Sequence, residues 1–305
     1  MPTRDRLLAA FVALLWGCNF LAMHAMLEHF PPLLAGALRF LVIAIPTVIL
    51  IPRPKVRPLL LLGFGLGFGT FQFAFLFVAL DVGMPTGLAS LVLQAQAPFT
   101  VLLGAVFLKE KLTAWQVGGI LLAVGGMLVI AWQRAENAAL IPVLLTLGGA
   151  LSWATGNLCA RKAKPDNPLH LTLWISIVPP IPMFVLSTIF EGPAEQWQAL
   201  STLGSPGTWL PMAGFAYVVL LGTVVGSGIW TGLMRRNPAS TVAPFSLLVP
   251  VVGMTLSFLL LNERPTVPEI AASAVVVSGV LLGSLRRRDR SKDADPVLAA
   301  DPVRS

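Results

Sequence analysis

The chain has 305 residues, 56% of them hydrophobic and only 11% charged, with a formal net charge of +7 at pH 7. Soluble domains carry roughly 25% charged residues, and a mean hydropathy of +0.81 leaves too little polar surface to dissolve one packed core, so the composition excludes an ordinary water-soluble protein. It also argues against nucleic acid as a partner, because the basic residues lie in short loops between apolar runs rather than on one face.

The first apolar run, 7–27, follows Arg4 and Arg6 as a signal peptide would. Its length of about 20 residues and the lack of a small-x-small exit make it a retained first helix. Similar runs follow at 33–51, 59–80, 85–108, 114–132, 140–160, 170–190, 209–233, 239–261 and 267–285. Each is close to the length a helix needs to cross the hydrocarbon layer, so ten spans are predicted. Turn formers separate them, among them Pro31-Pro32, Pro52-Arg53-Pro54 and Asn262 to Pro265. Cys18 and Cys159 fall inside apolar runs without metal-ligand spacing and read as packing residues, and no cofactor or metal is expected.

With the N-terminus inside, 18 of the 21 Lys and Arg residues lie on the cytoplasmic side and only Arg134 and Arg264 in outer loops, which is the distribution the positive-inside rule requires. An odd change in span count would destroy it. The charged tail 287–305 reads as a disordered cytoplasmic end.

The two halves echo each other. Leu14-Leu15-Trp16 matches Leu151-Ser152-Trp153 at an offset of 137, and Pro85, Glu110 and Thr113 match Pro238, Glu263 and Thr266 at 153. Five spans per half is an odd number, so the second half enters the membrane inverted. The predicted fold class is thus an all-α integral membrane protein, with ten transmembrane helices as two inverted five-helix repeats (1–137 and 138–286) and both termini cytoplasmic. Thr113-x-x-Gln116 and Thr266-x-x-Glu269 have the capping-box pattern, so both threonines are read as structural caps. Glu110 and Glu263, each beside Lys or Arg, read as loop ion pairs.

Trp16-Gly-x-Asn-Phe20, the Lys109-Glu-x-Leu-Thr113 turn and the two five-span halves resemble the drug/metabolite transporter superfamily. Within it the chain is most similar to EamA-type, YddG-like aromatic amino-acid exporters, over about residues 5–286. The second half departs at Asn262-Glu263-Arg264-Pro265-Thr266 and at Trp153-Ala154, so those positions carry the fold rather than a role. The resemblance implies export of amino acids and related metabolites across a bacterial inner membrane.

In carriers of inverted repeats the site lies near the midplane, where helices are interrupted. Pro98 and Pro250 sit near the middles of the fourth and ninth spans, and each lacks the N–H that would engage the carbonyl of Gln94 or Ser246. Polar side chains at this depth are costly unless they face protein or water. The candidates are Asn19, Gln72, Gln94, Gln96, Asn157 and Ser246, with the indoles of Trp16 and Trp153. Trp16 and Asn19 share a helix face, as do Trp153 and Asn157. Gln94 is preferred to Gln96 because Pro98 frees its carbonyl. The substrate-binding set is therefore Trp16, Asn19, Gln72, Gln94, Pro98, Trp153, Asn157, Ser246 and Pro250, with Phe68, Phe71 and Phe75 near the substrate side chain.

No Asp or Glu falls mid-span, which favours a neutral or zwitterionic apolar substrate. Arg39 lies about 9 Å deep at 1.5 Å per residue and is expected to snorkel outward or pair with Glu28 or Asp81 rather than bind substrate. His24 is the one titratable side chain expected in the outer vestibule. Gly63-Phe-Gly65-Leu-Gly67-Phe-Gly69 does not fit a dinucleotide fingerprint and implies close packing or a moving helix. A membrane enzyme finds no nucleophile, carboxylate pair or metal set in the sequence. The remaining alternatives are exchange of phosphorylated metabolites, for which Arg39 is the sole intramembrane cation, and export of other small hydrophobic compounds.

Overall fold

The computed structural model describes residues 1–109, 112–136, 140–237 and 239–284; Glu110, Pro238 and the tail 287–305 lie outside them. Every regular element among the described residues is helical. Among the described residues eight helices are long and apolar enough to cross a membrane: α1 (Thr3–Leu27), α2 (Pro32–Leu50), α3 (Pro58–Asp81), α4 (Thr86–Leu108), α5 (Ala114–Gln133), α6 (Leu140–Ala163), α7 (Pro168–Phe190) and α8 (Trp209–Arg236). Two shorter apolar helices follow, α9 (Pro244–Leu260) and α10 (Val267–Gly283). The ninth apolar run begins with the 3₁₀ turn Ala243–Leu247, most of which lies within α9. Exposed apolar side chains such as Ile49, Leu59, Ile181 and Phe190 cover the bundle, a surface suited to lipid rather than water.

Helix ends follow local chemistry. Pro32, Pro58 and Pro168 open α2, α3 and α7, where a missing N–H removes a donor that has no helical partner. Both predicted capping boxes are present. Thr113 N–H donates to Gln116 Oε1 at 2.9 Å and Gln116 N–H to Thr113 Oγ1 at 3.3 Å. Thr266 N–H donates to Glu269 Oε2 at 2.9 Å and Glu269 N–H to Thr266 Oγ1 at 3.4 Å. Lys109 and Asn262, at matched places in the halves, both end their helices with a positive φ, 54° and 55°.

Two further N-termini are capped from a distance. Glu263 accepts from the N–H groups of Thr86 (2.7 Å) and Gly87 (3.0 Å) at the start of α4. Glu191 accepts from Leu33 N–H and from Leu34 N–H (3.1 Å) at the start of α2, and from the Ser187 hydroxyl. Glu263 is therefore a helix cap in trans, not the loop ion pair expected from its neighbour Arg264. The reason is that two orphan N–H groups beside a helix dipole outcompete a solvated cation for one carboxylate.

The halves interleave. Helix α1 lies against α8 and α9, and α6 against α3 and α4, so each leading helix is lodged in the other half; α2 packs on α7, α4 on α9 and α5 on α10. Glycines permit the closest approaches. A Cβ at Gly119 would stand 2.5 Å from Gly279 O and Gly283 N, and one at Gly67 would stand 2.7 Å from Gly156 N. The glycine-rich run of α3 thus packs against two helices, Gly63 and Gly67 against α6 and Gly65 and Gly69 against α7, as its composition implies.

Gly119→Leu should lower the thermal unfolding midpoint of the detergent-solubilised protein by about 5 °C or more, whereas Gly125→Leu, where a Cβ meets nothing within 4 Å, should not. Equal midpoints for the two would show that the α5–α10 seam tolerates a side chain. Glu263→Ala should cost roughly 1–3 kcal/mol in the same assay and Glu263→Gln less, since the amide oxygen still accepts.

Candidate functional site

The interruptions in the helices mark the centre of the bundle. Helix α4 passes through a 3₁₀ turn at Leu93–Ala95, just before Pro98, and α9 opens with one at Ala243–Leu247, before Pro250. The carbonyls expected to be freed by these prolines are met locally: Gln96 N–H points to Gln94 O and Leu93 O, and Leu248 N–H to Ser246 O and Phe245 O. Sequence reasoning missed a second pair of interruptions. Gly65–Phe71 in α3 and Tyr217–Val225 in α8 are wound as π-helix. Such segments are rare and tend to occur at functional sites. The glycine run signalled the first, but Tyr217–Val225 carries no comparable mark.

Trp16 and Asn19 converge as predicted, both onto the π segment of α8. The Trp16 indole N–H donates to Gly222 O at 2.9 Å, and a Cβ on Gly222 would collide with Asn19 Oδ1. Asn19 is buried and its Oδ1 has no hydrogen-bond partner. Trp16 also packs on Trp230 with ring centroids 5.1 Å apart. On the opposite side Trp153 meets Phe68 edge-on at 5.6 Å, and Phe68 meets Phe73 at 6.2 Å. Of the three predicted phenylalanines, Phe68 is the one packed against the core. Phe71 and Phe75 are 45% and 36% exposed, and Phe73 takes their place in the core.

Asn157 donates to Thr100 Oγ1 at 3.2 Å and to Gln96 Oε1 at 3.4 Å, so α6 bonds to the Gln96 side chain across the halves. Gln94 and Gln72 are buried, and Gln72 Oε1 has no partner. Pro98 and Pro250 are buried as well. Ser246 is partly buried on its 3₁₀ turn.

Arg39 departs most from expectation. It is 5% exposed and pairs with neither Glu28 nor Asp81. Its guanidinium lies 3.9 Å from the Phe73 ring centroid and 5.2 Å from that of Phe40, and donates to Thr223 Oγ1 at 2.8 Å. Depth along the helix predicted snorkelling, but α2 is turned inward here, and aromatic faces hold the cation instead. A depression of about 630 Å³ opens at the end of the bundle near Glu28, lined also by His29, Asp81, Glu191 and Glu195. Its histidine is His29, with Nε2 2.9 Å from Ala199 O, rather than the expected His24.

The model of the EamA-like transporter family matches residues 6–132 and matches again at 140–285. The chain belongs to this family. It is a membrane transporter of the drug/metabolite superfamily, as the Trp-Gly-x-Asn-Phe stretch and the Lys-Glu-x-Leu-Thr turn imply. A relative in Escherichia coli strain K12, the "Probable amino-acid metabolite efflux pump", is 40% identical over 92% of this chain and 95% of its own length. A "Probable terminal-alkyne amino-acid exporter" of Streptantibioticus cattleyicolor is 27% identical over 70% of this chain and 69% of its own. A solved crystal structure superposes with a TM-score of 0.56 at 19% identity, covering 92% of this chain and 96% of that one. That likeness shows the fold.

For this EamA-like transporter, Gly222→Ala should displace Asn19 and cut solute flux by about tenfold or more. Gly228→Ala, whose Cβ meets nothing within 4 Å, should leave flux unchanged. Equal flux in both would separate Asn19 from the transport path.

Proposed function

We propose that the chain exports apolar or aromatic amino acids and related small metabolites across a bacterial inner membrane by alternating access. In this reading ten spans form two inverted repeats, 1–137 and 138–286, with both termini cytoplasmic. The cytoplasmic bias of Lys and Arg supports the orientation. The reciprocal contacts of α1 with α8 and α9, and of α6 with α3 and α4, support the repeat. So do the paired 3₁₀ and π interruptions. Rocking of one unit against the other about these flexible segments is the expected cycle.

The observation that carries the substrate class is the layer between Trp16 and Trp153. Aromatic rings, amides and one guanidinium line it, with no carboxylate from a described residue. Such a layer suits a zwitterion with an apolar side chain, since rings take the side chain and amides the ionic head. The names of the E. coli and Streptantibioticus relatives agree with this class. Exchange of phosphorylated metabolites is less well served, because a dianionic phosphate normally engages several cations.

Radiolabelled threonine, methionine, phenylalanine and tryptophan should enter liposomes carrying the purified protein, and Trp16→Ala, Asn19→Ala and Gln94→Ala should each reduce that flux by about tenfold. Flux without an imposed pH gradient would mark a facilitative carrier, and gradient-driven flux a proton-coupled one. Absence of flux for all four amino acids would overturn the substrate class.

A further inference from the structure

Arg39 stands on the inward face of α2 with less hydrogen bonding than a buried guanidinium requires. Of its three nitrogens, Nη2 donates to Thr223 Oγ1 at 2.8 Å, while Nε and Nη1 are buried and have no partner. The Thr223 hydroxyl gives its own proton to Val218 O at 2.8 Å, so it meets Arg39 as an acceptor only. No carboxylate among the described residues lies within ion-pair distance of Arg39. The cation is 5% exposed and rests on the face of Phe73 at 3.9 Å. Ring faces attract a cation but accept none of its N–H bonds at full strength. A charge left in this state inside a membrane is costly and is ordinarily kept for function.

Its surroundings indicate what would complete it. Arg39 lies between the two tryptophans along one line of contacts. Trp153 touches Phe68, Phe68 touches Phe73, Phe73 carries Arg39, and Arg39 holds Thr223, beside the Gly222 whose carbonyl Trp16 binds. Against the same Gly222 stands Asn19 Oδ1, a buried acceptor without a donor. Spare donors and a spare acceptor thus share one layer, the complement of a carboxylate with a neighbouring ammonium group.

We infer that Arg39, oriented by Thr223 and Phe73, is the subsite that binds the free carboxylate of the transported solute. This rests on the reading of the chain as an amino-acid exporter and adds the residue that reads the carboxylate. A single guanidinium matches one carboxylate in charge and planar geometry, whereas a dianionic phosphate normally engages several cations, so the lone cation favours a carboxylate. Thr223, which holds Arg39 by its hydroxyl, lies within the π-wound segment Tyr217–Val225, whereas Phe73 lies in the regular α-helix that follows Gly65–Phe71. A change of winding in Tyr217–Val225 moves Thr223 and with it the guanidinium, so the site opens as the transporter changes state.

The test compares wild type, Arg39→Gln and Arg39→Lys in liposomes, with phenylalanine, phenylalaninamide and phosphoserine as solutes. Wild type should carry phenylalanine with a KM at least about tenfold lower than that for the amide. Arg39→Gln should raise the KM for phenylalanine until the two solutes are equal, leaving the amide unchanged. Arg39→Lys keeps the charge without the planar fork and should lie between, which also covers the case in which Arg39→Gln does not fold. Equal loss of acid and amide flux in a folded variant would make Arg39 a structural cation and overturn the inference. Arg39-dependent flux of phosphoserine exceeding that of phenylalanine would overturn it in favour of phosphate. No wild-type flux of any of the three removes the exporter reading itself, and the subsite with it.

Discussion

A peptide group in hydrocarbon has no water to turn to, and the arrangement of this chain follows from that constraint. Within a helix the ladder satisfies it, so the difficulty falls on ends and interruptions. Capping boxes at Thr113 and Thr266 close two N-termini with residues of the same helix. The starts of α2 and α4, opened by Pro31-Pro32 and Pro85, have no local acceptor and borrow Glu191 and Glu263 from the far half. Backbone satisfaction thereby becomes a tie between halves, each carboxylate joining two elements about 160 to 180 residues apart.

Interleaving has a second basis in side-chain size. Lipid tails are as apolar as Leu, so helices associate through close contact rather than through expulsion of water. Gly119 against Gly279, Gly67 against Gly156 and Gly17 against Val252 bring helix axes close enough for that. The same closeness leaves little tolerance at the centre. Asn19 occupies the space where a Gly222 side chain would be, and Ser90 the space at Gly253.

Interruptions at the centre are where this tight bundle can change shape. Two 3₁₀ turns precede Pro98 and Pro250, and α3 and α8 each carry a π segment, the one in α8 holding Arg39 through Thr223. Each keeps its backbone bonded in a less favourable winding, which makes it a place where a helix can shift register without exposing bare peptide groups to lipid. Of the buried polar atoms without partners, those of Asn19, Arg39, Thr70 and Gln72 lie in or beside these segments, and those of Thr86 and Ser257 lie elsewhere.

Much of this was written in the sequence. Apolar runs with Pro and Asn breaks located the helices, because a span must be apolar along its whole length. The threonine caps were readable because their partners lie three residues away. Trp16 and Asn19 shared a face for the same local reason. What the tertiary structure decided was every pairing between distant residues. Glu263 beside Arg264 looked like an ion pair until the start of α4 came within reach of its carboxylate. The bond between Asn157 and Gln96 joins residues 61 apart that no local spacing relates. Arg39 seemed shallow enough to reach water, but the rotation of α2 about its axis, which depth along the helix does not specify, turned it onto Phe73 and Thr223. Periodicity and spacing fix what lies within a turn or two of a residue. Which face of a helix looks inward is set by its neighbours, and only the packed bundle contains them.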